Sequence, residues 1–288
     1  MLEYPQYKNL PAEYVKNKLA EFLAEDAPNG DVTALGTIDE NISAVALIES
    51  QDELVFAGVP VIENMFVDNF SVEIFINDGD LLNDGSVIGK ISGNAREILT
   101  KERVLLNLIQ RLSGIATLAS KYAEIAKPYN VRILDTRKTT PGLRLFEKYA
   151  VAVGGGFNQR LDLSSGILIK DNHIQAAGSI TNAVNRIRKI YPEMQIELEV
   201  ENEAHIIEGL ECKVEGFLLD NMNIENTMKS VELIRKAPNG NDILIESSGG
   251  ITLATLSDYV KTGINAISIG ALTHSAKSAN IHLEFLQS

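Results

Sequence analysis

The feature that most constrains this chain is a repeat of spacing rather than of sequence. Short apolar runs occupy residues 131–134, 150–153, 167–169, 196–200, 217–219, 243–245 and 266–269, with helix-forming intervals such as 180–190, 203–210, 228–235 and 253–262 between them. Strands that alternate with helices run parallel, because a helical crossover returns the chain to the same end of a sheet. Seven such units predict a closed or nearly closed α/β barrel, with a doubly wound sheet as the alternative.

The part before this repeat follows another rule. Residues 11–25 place Val15, Leu19, Phe22 and Leu23 on one helical face, and Pro28-Asn29-Gly30 ends the helix. Strand candidates at 42–48, 54–57, 71–76 and 87–91, a short helix near 61–67, and the turn signals Asn77-Asp78-Gly79-Asp80 and Asn83-Asp84-Gly85 predict an α+β sandwich. Residues 94–126 predict two consecutive helices broken at Leu112-Ser113-Gly114-Ile115, which puts the domain boundary near Ser113.

Charge and cysteine usage narrow the partners. A net charge of -13 disfavours a polyanion, so nucleic acid is excluded as a general partner. A single cysteine, Cys212, forms neither an intrachain disulfide nor a metal cluster, and a reducing, cytoplasmic setting fits it. The opening residues lack a basic and an apolar leader region, and no apolar run approaches the ~20 residues of a membrane span, so the expectation is a chain neither secreted nor membrane-spanning.

Chemistry is concentrated where the apolar runs end. They lead into Asp135-Thr136-Arg137-Lys138, Gly154-Gly155-Gly156, Lys170-Asp171-Asn172-His173, Asp220-Asn221, Glu246-Ser247-Ser248-Gly249-Gly250 and Ser268-Ile269-Gly270. In an α/β barrel those loops share one face and build the active site. Residues 131–173 hold seven basic against four acidic side chains, while the rest of the chain holds 19 against 35. A basic segment in an acidic protein predicts a compact anionic ligand held by Arg137, Lys138, Lys170 and, less decisively, Arg160; Arg132, Arg144 and Lys148 read as surface charge.

In 196–201 the carboxylates Glu197, Glu199 and Glu201 alternate with aliphatics and project to one face. Inside a barrel such groups must be paired, which makes Glu199 and Asp220 candidates to meet cations, sugar hydroxyls or a divalent metal; Glu197 reads equally as structural. The glycine turns after 245 and 269 occupy the usual phosphate position of such barrels. His173 reads equally as an acid/base group or as a structural hydrogen-bonder.

These residues also carry a resemblance. The segments Thr136-Arg137-Lys138-Thr139-Thr140-Pro141-Gly142-Leu143-Arg144, Glu147-Lys148-Tyr149-Ala150-Val151, Leu168-Ile169-Lys170-Asp171-Asn172-His173, Leu219-Asp220-Asn221 and Gly270-Ala271-Leu272-Thr273-His274 resemble the quinolinate phosphoribosyltransferase family, as do Glu25-Asp26, Gly30-Asp31-Val32-Thr33 and Glu102-Arg103. The resemblance implies an N-terminal α/β sandwich (1–112, rejoined by 275–288) and a seven-stranded α/β barrel (113–274) of the type II phosphoribosyltransferase kind. It implies transfer of phosphoribosyl from phosphoribosyl pyrophosphate to quinolinate with loss of CO₂, in NAD biosynthesis. It further implies Mg²⁺ at Glu199 and Asp220, and a homodimer whose Arg103 reaches the neighbour's site.

By that resemblance Lys138, Lys170, Glu199 and Asp220 are catalytic. Arg103, Thr136, Arg137, Gln159, Arg160 and His173 hold substrate, and Ser247, Ser248, Gly249, Gly250, Ser268, Ile269, Gly270 and His274 hold phosphate. One departure stands out: bacterial members usually read Asn-His-Arg where this chain reads Asn158-Gln159-Arg160, so an imidazole is replaced by an uncharged amide. Rival readings are a related transferase for another aromatic acid, a Schiff-base lyase using Lys170, and a pseudoenzyme that binds pyridine carboxylates.

Overall fold

The computed structural model describes residues 2–286 and divides into two compact units. One comprises Tyr7–Ser120, Leu145–Gly155 and the chain from Ser275; the other comprises the residues up to Gln6, Lys121–Arg144 and Gly156–His274. Residues 2–6 leave the unit that their neighbours build, and 145–155 join it.

In the first unit, helix Ala12–Asp26 is followed by helix Val32–Thr37, whose Asp31 cap accepts the amides of Thr33 and Ala34 at 3.0 Å each. Five strands follow: β1 (Ser43–Ser50), β2 (Leu54–Val55), β3 (Ser71–Ile74), β4 (Leu81–Leu82) and β5 (Val87–Asn94). Helix Val59–Met65 separates β2 from β3. The second unit carries the parallel strands β6 (Arg132–Leu134), β7 (Ile167–Ile169), β8 (Ile196–Val200), β9 (Gly216–Asp220), β10 (Leu244–Ser248) and β11 (Ala266–Ser268). The last strand, β12 (Ile281–Phe285), returns to the first unit and pairs antiparallel with β1, giving the sheet order β12-β1-β5-β3. This is the N-terminal α/β sandwich.

Residues 95–126 form one continuous helix, Ala95–Ala126, where the sequence suggested a break. Ser113 and Gly114 are sites of close approach rather than helix ends. Ser113 Oγ accepts the Ala57 amide at 3.2 Å, and a Cβ on Gly114 would lie 2.0 Å from the Lys277 carbonyl oxygen. Glycine costs a helix interior about 1 kcal/mol relative to alanine, and the packing that it permits here offsets that cost.

The parallel sheet of the second unit runs β6-β11-β10-β9-β8-β7. It has six ladder strands rather than seven, and the run at 150–153 is not a strand. It ends helix Arg144–Val153, whose residues 146–151 are all buried. A short apolar run is ambiguous between buried strand and buried helix, and here the helical spacing of Phe146, Tyr149 and Ala150 prevails. The seventh position of the barrel is a single parallel bridge, Leu134 to Phe157. Connecting helices include Asp171–Ala177, Ile180–Ile190, Glu203–Glu211, Ile224–Lys236, Leu253–Tyr259 and Ala271–His274. No helix among the described residues is long and apolar enough to cross a membrane.

Candidate functional site

Strand alternation decides what faces the barrel interior. Ile196, Leu198 and Val200 turn outward to the helices, so Glu197 and Glu199 turn inward, as do Leu218 and Asp220 on β9 and Glu246 and Ser248 on β10. Ile169 pairs with Leu198, so Lys170 and Glu199, the next residues, are neighbours. Asp220 pairs with Ser248, and Ser248 with Ser268, along one row at the strands' carboxyl ends. Above that row opens a cleft of about 730 Å³.

The cleft brings together Thr136, Arg137, Lys138, Gln159, Arg160, Lys170, Glu199 and Asp220, with Ser248, Gly249, Gly250, Ser268, Ile269, Gly270 and His274. Three sequence candidates are not in its lining. Ser247 is wholly buried, one position out of phase with the inward-facing Glu246 and Ser248. His173 is exposed and turns back on its own helix, where Nδ1 accepts the Lys170 amide at 3.0 Å, which is the structural role of a capping group. Arg103 is exposed on the long helix of the other unit.

One side of the cleft is cationic. Burial, followed by the charges of Arg160 and Arg144, pulls the Arg137 guanidinium below its ordinary pKa, with Asp162 opposing. Arg160 is 6% exposed and donates Nη1 to the Gly166 carbonyl at 3.0 Å. The Nε atoms of Arg137 and Arg160 are buried without a hydrogen-bond partner. Guanidiniums that repel one another and keep unused donors are arranged for an anion. Lys170 Nζ is ion-paired with Glu199 Oε2; the lysine side chain is 41% exposed and the glutamate 12%.

The opposite side is built on turns. Asn221, in the left-handed region at φ 52°, donates its amide N–H to the Ser248 carbonyl at 2.8 Å and its side chain to Asp220 Oδ2 at 2.7 Å. Gly249, at φ 95°, must be glycine there, because a Cβ would meet Asn221 Oδ1 at 2.1 Å. Thr252 caps the helix that follows. The Lys138 carbonyl accepts Thr273 Oγ1 at 2.8 Å, which ties that loop to the last turn of the barrel.

Beneath the cleft lies a polar layer. Asp135, wholly buried, accepts Asn158 Nδ2 at 2.7 Å and the Gln159 amide at 2.9 Å. Gln159 is 5% exposed and donates Nε2 to Glu246 Oε1 at 2.9 Å. Glu246 and Glu197 are both fully buried and hydrogen-bonded to each other. Burial raises both pKa values, and the charge of Glu197 pushes Glu246 higher still. Glu197 Oε1 and Glu246 Oε2 are buried with no protein donor.

Sequence reasoning assigned no site role to Leu168, Leu218, Asn221, Ile251, Thr252 and Ala271, which also line the cleft. Leu168 and Leu218 were recoverable, since each lies two residues before a strand-end candidate and shares its face. Nothing local announced Glu246 as a partner of Gln159, 87 positions earlier.

Comparison with known proteins places this geometry. The family model "Quinolinate phosphoribosyl transferase, C-terminal domain" matches residues 115–284, and the corresponding N-terminal model matches 31–113. A probable carboxylating nicotinate-nucleotide pyrophosphorylase of Bacillus subtilis is 41% identical over 274 residues, covering 94% of this chain and 93% of that protein. A chloroplastic enzyme of Arabidopsis thaliana with the same activity name is 41% identical over 281 residues, covering 91% and 80%. The structure of the nicotinate-nucleotide pyrophosphorylase from Francisella tularensis superimposes with a TM-score of 0.92 at 34% identity, covering 99% of this chain and all of that one.

Proposed function

The chain belongs to the quinolinate phosphoribosyltransferase family and is a phosphoribosyltransferase of NAD biosynthesis; we propose that its cleft divides the work between a cationic side, which binds quinolinate, and a carboxylate and glycine side, which binds phosphoribosyl pyrophosphate. The observation that carries this division is that Arg137 and Arg160, whose Nε atoms are buried without a partner, line the same cleft as Asp220 and the Ser248-Gly249-Gly250 turn.

Quinolinate carries two adjacent carboxylates, and Arg137, Lys138, Arg160 and Lys170 supply fixed cations for them. The backbone of Ser248, Gly249, Gly250 and Gly270 suits the 5′-phosphate. Departure of pyrophosphate leaves positive charge on the ribose, and the carboxylates of Glu199 and Asp220 stabilise it. By holding Glu199 in place, Lys170 links the two sides.

Mg²⁺ fits this donor set. Hard divalent ions prefer one or two carboxylates together with substrate phosphates, and Glu199 and Asp220 are the carboxylates of the cleft lining. Bound there with the pyrophosphate, the ion would offset the charge of the leaving group. Among the described residues no cluster of three or more acidic, histidine or cysteine side chains forms a ready-made metal cage, in keeping with an ion that arrives with its substrate.

The working unit in this reading is a cytoplasmic homodimer in which Arg103 completes the neighbour's site. Mixing an inactive Arg103→Ala chain with an inactive Lys170→Ala chain then restores about a quarter of the wild-type sites under free, equal exchange. No recovery despite proven exchange refutes the shared site.

The test of the activity is an assay with phosphoribosyl pyrophosphate and Mg²⁺, comparing quinolinate with nicotinate and following pyrophosphate and CO₂. Turnover of quinolinate with CO₂ release is expected. Preference for another aromatic acid would mean that Gln159 has redirected the site.

A further inference from the structure

Residues 2–6 pack with the parallel unit, and two of their side chains reach the layer under the cleft. Leu2 joins Leu134, Leu244 and Ala266 in a buried cluster against which Tyr4 packs. From there Tyr4 donates its hydroxyl to Glu197 Oε2 at 2.7 Å. Gln6 forms a two-point clamp on the backbone of one residue: Nε2 donates to the Asn158 carbonyl at 3.0 Å, and Oε1 accepts the Asn158 amide at 2.9 Å. Neither side chain lines the cleft.

We propose that this N-terminal strap positions the quinolinate half of the active site, Gln6 by fixing the backbone of Asn158 and Tyr4 by anchoring the Glu197–Glu246 pair that holds the Gln159 amide. The inference rests on the functional reading above. Two routes converge on one segment. Gln6 and Asp135 grip Asn158 from two sides, and the next two residues, Gln159 and Arg160, face the ligand. Along the second route, Tyr4, Glu197, Glu246 and Gln159 form a continuous chain of hydrogen bonds from the strap to the cleft. Burial beside Glu197 pushes the Tyr4 phenol up, so it stays a donor. The strap makes no hydrogen bond to Asp220 or to the 248–250 turn among the described residues, so its effect falls on one substrate alone.

The experiment uses the full chain with Gln6→Ala and, separately, Tyr4→Phe, which keeps the ring and removes the hydroxyl. Hydrogen exchange at 157–160, measured without substrate, should accelerate in Gln6→Ala. The KM for quinolinate should rise about fivefold, the loss of one net hydrogen bond, while the KM for phosphoribosyl pyrophosphate holds within about twofold. Tyr4→Phe should raise the quinolinate KM in the same selective way. Unchanged exchange at 157–160, or equal shifts in both KM values, overturns the proposal, and a silent Tyr4→Phe removes the Tyr4 route. If the wild-type protein does not turn over quinolinate, the functional reading has failed, and exchange alone then decides whether the strap holds the segment.

Discussion

Two arginine sites in this molecule use the same chemistry to opposite ends. In the antiparallel unit, Arg111 donates Nε and Nη2 to one oxygen of the wholly buried Glu147, at 3.2 and 2.9 Å, and Nη1 to the Ala276 carbonyl at 3.0 Å. Every nitrogen of that guanidinium is spent on the chain itself. In the parallel unit, Arg137 and Arg160 face a cleft with their Nε donors unused and with like charges close by. A buried arginine therefore says little about function until its partners are counted.

The sharpest break of that comparison removes each kind of arginine in turn. Arg111→Ala removes an ion-pair partner of a buried carboxylate and should cost roughly 3 kcal/mol of stability. Thermal or urea unfolding measures this, and the KM for quinolinate should be unmoved in the protein that remains folded. Stability within experimental error of the wild type would show that the pair contributes nothing.

Arg137→Ala, Lys138→Ala and Lys170→Ala should behave in the reverse sense. Each should weaken quinolinate binding by about 2 kcal/mol, close to thirtyfold, with little change in melting temperature, because the charge lost serves a ligand. Calorimetric titration checks it, and near-normal affinity in all three would remove the anion pocket.

Within the cleft the comparison can be sharpened further. Glu199→Ala and Asp220→Ala should lower kcat about tenfold or more and leave the quinolinate KM nearly constant, since they oppose charge that develops only in the transition state. A raised KM with unchanged kcat would assign them to ground-state binding. Lys170 and Glu199 touch, so their double variant should be less impaired than the two single losses combined.

The smallest effect concerns Gln159. Its amide leans on Glu246 and carries no charge, so quinolinate affinity should vary little between about pH 6 and 8 beyond titration of the ligand. In Gln159→His, neighbouring carboxylates raise the imidazole pKa. Its extra binding is therefore complete below that raised value and fades as pH rises through it, amounting to on the order of 1 kcal/mol at the acid end. Affinity unchanged at every pH would place residue 159 outside the binding contacts.

Much of this was legible without coordinates. Periodicity located the parallel strands other than 150–153, because a doubly buried strand needs a short apolar run and a helical return. The strand ends pointed to Arg137, Lys138, Lys170 and Asp220, because a barrel opens its cleft at those ends, and the alternation of carboxylates in 196–201 pointed to Glu199. Both are properties of a few consecutive residues. Tertiary structure decided what depends on distant partners: that Ser113-Gly114 is a crevice for Lys277 and not a helix break, that 150–153 winds as a helix, and that Ser247 faces away from the cleft while Ser248 faces into it. It also decided that Gln159 is held by Glu246, and that Tyr4 and Gln6 lie under a site formed far along the chain. A hydrogen bond across 87 or 193 positions leaves no trace in local spacing, since its geometry exists only once the barrel has formed.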